Sequence, residues 1–133
     1  MKKQNEARQQ QECWIWFNNE YCTKSKSPRL IIHSIVNGFS VSIPSSIPKV
    51  FHQIIYKMIG AAVNKFKLTG MTCGISDMMI HGVGGRCLWL EFKTDDGKLA
   101  VVQSEMEHRV NALGGRYFVV RGLEHFKEIA LQN

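Results

Sequence analysis

At 133 residues and 44% hydrophobic content the chain is long enough to bury one core without disulfide or zinc support, and too short for several domains. Lys and Arg total 17 against 11 Asp and Glu, a formal charge of +6 with a pI near 9.3. That balance favours an anionic partner, nucleic acid before membrane, because no basic amphipathic helix stands out.

Cys13, Cys22, Cys73 and Cys87 show no C-x-x-C spacing or regular framework, so they read as free buried thiols in a reducing cytosol. Met1 to Asn5 is polar and basic rather than a secretory leader, and no apolar run reaches about 18 residues. The expectation is a soluble, intracellular, cytoplasmic protein with no membrane partner, built as a single domain over residues 1–133.

Helix one is expected from Glu6 to about Tyr21, where Cys13, Trp14, Phe17 and Tyr21 recur at helical spacing beside Trp16. Gln9, Gln10 and Glu12 are among its polar members. Thr23 to Arg29 is a basic connector broken at Pro28, and Leu30 to Val36 is a β-rich run closed by Asn37-Gly38. His33 within that strand reads as structural rather than as a ligand. Residues 39 to 48, with two prolines and several serines, form a loop.

Val50, Ile54, Met58, Ala62 and Phe66, joined by Ile55, Ile59 and Val63, define a second helix over residues 49 to 68 that packs on the sheet. Its other face carries Lys49, Lys57, Lys65 and Lys67. Met78 to Gly85 is an apolar run ending in a glycine pair, read as a strand and a tight turn into the next strand, Leu88 to Lys93. Leu99, Val102, Met106, Val110 and Leu113 mark helix three, ended by Gly114-Gly115. Arg116 to Arg121 is the fourth strand, and a short helix runs from about Leu123 to Leu131. The order helix, strand, helix, strand, strand, helix, strand, helix predicts an α/β fold: a mixed sheet flanked by helices, with a right-handed crossover through helix three.

Within this frame the strand pair brings Asp77 close to Glu91. Alternation along the second strand puts Leu88, Leu90 and Phe92 on one face and Trp89, Glu91 and Lys93 on the other. Two adjacent carboxylates repel unless a cation lies between them, and oxygen ligands of this kind suit magnesium or manganese. Lys93 is placed to orient a water or to offset charge on a phosphate, so the constellation points to metal-assisted phosphodiester hydrolysis. The plainer reading of Glu91 and Lys93 is an edge-strand ion pair lying in water. His81 and His108 read as isolated surface or structural residues. There is no phosphate-cradling glycine loop, nucleophile elbow or zinc-ligand spacing.

The order Gly70, Gly74-x-x-Asp77, Trp89-Leu90-Glu91-Phe92-Lys93, Gly97-Lys98-Leu99, Gln103, Gly114-Gly115 and Val119-Val120 resembles the VRR-NUC domain of the PD-(D/E)XK nuclease superfamily. Glu6-x-x-x-Gln10 with Trp16, and Asn37-Gly38, extend the likeness over most of the chain. It departs at Ser76, where a proline is common, and at Ala100, where a helix-capping serine is usual.

The resemblance implies a restriction-endonuclease-like core and a structure-selective DNA endonuclease, similar to the stand-alone homodimeric Holliday-junction resolvases of phages and bacteria. Flap, nicked or splayed DNA stays open as the substrate, as does a non-catalytic DNA-binding module with the same fold. In this reading Asp77, Glu91 and the backbone carbonyl of Phe92 hold magnesium or manganese, and Glu6 is either a further ligand or a solvated charge that the helix dipole favours. Lys93 positions or deprotonates the attacking water, and Gln103 supports it. Lys24, Lys26, Arg29, Lys57, Lys65 and Lys67 contact the DNA backbone.

Overall fold

A computed structural model describes residues 5–25, 29–35 and 41–132. The Asn37-Gly38 turn and Lys26 lie outside the described residues. The chain divides into two compact units, one formed by Met1–Ile35 with Gly74–Asn133 and the other by Val36–Cys73.

In the first unit, α1 (Glu6–Phe17) starts at Asn5, whose side chain accepts the Arg8 backbone N–H at 2.8 Å. Glu6 stands in the first turn, where a negative charge complements the helix dipole. The helical path expected to reach Tyr21 does so in two parts, because α1 passes into a π-helical turn over Asn18–Cys22. Gln9, expected among the polar positions, is buried.

Four strands follow: β1 (Ile31–Ser34), β2 (Met78–His81), β3 (Cys87–Phe92) and β4 (Arg116–Val120), adjacent in that order in one sheet. β1 with β2 and β2 with β3 are antiparallel, and β3 with β4 is parallel. The β2–β3 connection turns through Gly84 and Gly85, at φ +71° and +77°, a backbone that side-chain-bearing residues rarely adopt. The parallel pair is joined through α3 (Val101–Ala112), and α4 (Leu123–Ala130) follows β4. The mixed, helix-flanked sheet is the α/β class that periodicity indicated.

One face of the sheet carries the main core. Ile32, Met78, Ile80, Leu88, Leu90, Phe92 and Val120 meet Cys13 and Phe17 of α1 and Phe126 and Ile129 of α4. Phe126 joins the layers, edge-on to Phe17 at 6.1 Å and tilted against Phe92 at 6.3 Å between ring centres. The opposite face is smaller, with Met106 and Val110 of α3 packing on Tyr117 and Trp89. Of the stripe expected to bury helix three, only these two central residues are covered, while Val102 and Leu113 are exposed.

The second unit contains α2 (Lys49–Leu68), with the boundaries that its apolar repeat indicated. The expected burial of that repeat is not found. No residue of α2 is buried, and Val50, Met58 and Leu68 are 74%, 68% and 89% exposed. Periodicity reports which side chains share a helical face but not whether anything covers that face.

The thiols also differ from expectation. All four are free, but only Cys13 is buried and Cys73 is exposed. Burial pushes the Cys13 thiol up to about 12, so it behaves as a small apolar side chain. Among the described residues, no helix is long and apolar enough to cross a membrane.

Candidate active site at the end of the β2–β3 ribbon

Glu91 lies near the end of β3, the interior strand between β2 and β4. Its neighbours Leu90 and Phe92 face the main core, so alternation turns Glu91 to the side covered by α3. The carboxylate is 1% exposed and would be costly to desolvate alone. It is held by three donors: Lys93 just past β3, Gln103 of α3 and Tyr117 of β4. Lys93 Nζ donates to Oε1 at 2.7 Å, Gln103 Nε2 donates to the same oxygen, and the Tyr117 hydroxyl reaches Oε2 at 3.3 Å. Burial is the main influence raising the Glu91 pKa, and the charge of Asp77 adds to it, while Lys93 and Tyr117 oppose.

Lys93 is itself 7% exposed, and its backbone N–H donates to Val120 O at 3.0 Å. Both ends of the Glu91–Lys93 pair are therefore inside the protein. The alternative of an edge-strand ion pair in water does not describe it.

Asp77 immediately precedes β2. Met78 pairs with Leu90, so Asp77 stands one step along the ribbon opposite Glu91, on the same face. Its Oδ2 accepts the Phe92 backbone N–H at 2.8 Å. Because N–H and C=O of one strand residue point to the same side, the Phe92 carbonyl also leaves the strand toward Asp77. The sharp approach before β2 is set by Ser76, fully buried, whose hydroxyl donates to Met78 O at 3.1 Å. That local bond does the turning at the position where the resembled pattern favours proline.

Gly74 explains the spacing to Asp77. Its φ is +75°, and a Cβ there would lie 2.4 Å from the Val102 carbonyl oxygen in the first turn of α3. The missing side chain lets the Asp77 loop and the start of α3 touch. Gln103 belongs to that first turn, and its Oε1 accepts the Ala100 N–H at 2.9 Å. Ala100 offers no side-chain cap, but Gln103 closes the reciprocal half of the usual capping arrangement and donates to Glu91 with its other end.

Two participants escaped the sequence reading. Tyr117 is opposite Trp89 in the parallel β3–β4 register and so shares the Glu91 face. An aromatic in an apolar strand carries no mark of that partner until the register is known. Arg121 clamps the loop after β3: Nη1 reaches the carbonyls of Thr94 and Asp95, and Nη2 donates to Gly97 O at 2.8 Å. It acts on the segment that delivers Gln103 rather than on the carboxylates.

The donor set suits a hard divalent ion: two carboxylates and a backbone carbonyl on one side of adjacent strands, with a buried ammonium alongside. Asp77, Glu91 and the Phe92 carbonyl are the residues that would hold it. Among the described residues no three His, Cys, Asp or Glu side chains gather as a ligand group, so Glu6 is not brought together with Asp77 and Glu91. Lys24 and Arg29 of the first unit are exposed, as are Lys57, Lys65 and Lys67 of the second. Comparison with protein-family models, curated proteins and solved structures finds no match.

Proposed function

We propose that the chain is a magnesium- or manganese-dependent DNA endonuclease of PD-(D/E)XK type, close to the stand-alone VRR-NUC form. The observation that carries the reading is the bond from the Phe92 N–H to Asp77. It ties the carboxylate ahead of β2 to the Glu91-Phe92-Lys93 strand that bears the second carboxylate and the lysine. An ion held there lowers the pKa of a bound water and offsets charge in the transition state.

The chain's own groups do the rest. Asp77 and Glu91 supply oxygens from two strands, which confines the ion without a preformed cage. Lys93 swings from Glu91 Oε1 to a water or a phosphate oxygen when that carboxylate is engaged, a short movement for a flexible ammonium. Gln103 keeps Glu91 oriented as Lys93 leaves.

The +6 charge and the exposed Lys24, Arg29, Lys57, Lys65 and Lys67 support a polyanionic substrate bound through phosphates, without base readout. A branched substrate such as a four-way junction is favoured by the family likeness. A homodimer would set two such sites on paired strands.

The test is cleavage of labelled four-way junction, flap and linear duplex with and without magnesium or manganese, beside Glu91→Ala and Lys93→Ala. Metal-dependent product from the parent alone is the expected result. Junction binding with no product under any condition would instead identify a non-catalytic DNA-binding module. Product surviving in both variants would place the chemistry elsewhere.

A further inference from the structure

His33 and His81, each isolated in the linear sequence, form a pair in the fold. β1 and β2 register as Ile31 with His81 and His33 with Met79, which sets the two histidines diagonally on one face of the ribbon. Their Nε2 atoms are 3.1 Å apart, the ring centres 5.3 Å apart and the ring planes 13° apart. The two rings therefore meet nitrogen to nitrogen. Both residues are exposed.

His33 Nδ1 lies 3.3 Å from the Ser34 carbonyl oxygen, a contact that requires the proton on Nδ1. In the neutral ring that tautomer leaves the His33 Nε2 lone pair directed toward His81. A ring nitrogen facing a ligand while the other donates to a backbone carbonyl is the arrangement found around metal-bound histidines.

We propose that His33 and His81 together bind a divalent transition ion of the zinc, copper(II) or nickel(II) class, with water completing the coordination. Two nitrogens about 2.0–2.1 Å from one ion stand roughly 2.8–3.4 Å apart at angles between square and tetrahedral, and the observed separation falls inside that span. Binding requires Nε2 of both rings to be unprotonated, with any ring proton on Nδ1, and turns both rings off the nitrogen–nitrogen line. Exposed imidazoles make that turn at small cost because the torsion about their ring bond is broad. Nitrogen donors select a softer ion than the oxygens of Asp77, Glu91 and Phe92, so this site is chemically separate from the proposed nuclease centre.

The experiment is calorimetric titration of the full chain with zinc chloride and nickel chloride, on the parent, His33→Ala, His81→Ala and Asp77→Asn. One ion bound at the histidine pair is expected in the parent and in Asp77→Asn, any second event at the carboxylates being lost in Asp77→Asn, and the histidine event about tenfold or more weaker in each histidine variant. Circular dichroism checks that the exposed substitutions leave the fold intact. No binding by the parent overturns the proposal, as does a titration unchanged from the parent's in either histidine variant. Loss of all binding in Asp77→Asn would assign the ion to the carboxylates and overturn it as well. None of these outcomes depends on whether the chain cleaves DNA.

Discussion

Gln103 donates from Nε2 to Glu91 Oε1 while its own Oε1 accepts the Ala100 N–H, so one amide both starts α3 and orients the buried carboxylate. Gln103→Ala removes both functions. The expected destabilisation is about 1–3 kcal/mol, combining a lost helix-start bond with a lost bond to a charged group. Under the proposed function, cleavage is expected to fall with it. Gln103→Glu keeps the acceptor for Ala100 but faces Glu91 with an oxygen, so it retains more stability than activity. Urea unfolding read beside the cleavage rate separates the two effects, and equal losses of both in Gln103→Glu would refute the double role.

Lys93 neutralises a carboxylate that has almost no access to water. Lys93→Met keeps the bulk of the side chain and leaves Glu91 without its cation, at an expected cost of about 3–5 kcal/mol near neutral pH. Protonating Glu91 removes that penalty, so the variant should regain stability as the pH is lowered. Denaturation midpoints measured across pH would test this, and a cost that does not change with pH would count against it.

Burial, with Asp77 adding, raises the Glu91 carboxyl above its ordinary 4.5. A raised acid binds its proton more tightly folded than unfolded. Its stabilising contribution is therefore present on the acid side and is lost as pH rises through the folded value. In the proposed nuclease, metal binding would require the carboxylate and run the other way, strengthening over the same interval. The acid limb of activity is expected above the usual carboxylate range. Tyr117→Phe removes a bond that lowers the Glu91 pKa and should move that limb to higher pH, as a pH–rate profile would show.

Gly74→Ala meets two obstacles, a left-handed backbone and a Val102 carbonyl at 2.4 Å from the new Cβ. The backbone alone costs about 1–2 kcal/mol, and relieving the overlap separates the Asp77 loop from α3. Loss of stability and of metal-dependent cleavage together is expected. Chemical denaturation showing no change would mean that the close approach is not maintained in solution.

Arg121→Ala frees the carbonyls of Thr94, Asp95 and Gly97. The expected loss is about 1–3 kcal/mol. Faster amide hydrogen exchange over residues 94–103 would locate the effect at the connection between β3 and α3. Exchange that rises only in α4 would contradict the clamp.

The helix and strand succession was legible because side-chain periods of 3.6 and 2 are written along the chain. Leu88, Leu90 and Phe92 declared the core face of β3, which assigned Glu91 and Lys93 to the other face. The β2–β3 hairpin, announced by Gly84-Gly85, was short enough to imply that Asp77 and Glu91 are neighbours. These are local relationships, set within a turn or a strand.

The remaining features needed distant segments to meet. Tyr117 reaches Glu91 only through the β3–β4 register, and Arg121 reaches Thr94 and Gly97 only after α3 has carried the chain back across the sheet. His33 and His81, separated by 48 positions, acquire a common face from β1–β2 pairing. The repeat in α2 located a helix while saying nothing of what covers it, since a pattern of side chains defines a surface and only the packed chain supplies its partner. Composition and periodicity determined the elements and the facing carboxylates. Tertiary contact alone decided that Gln103 and Tyr117 join Lys93 on Glu91 and that the group is buried, because register and crossover are non-local quantities that no window of sequence contains.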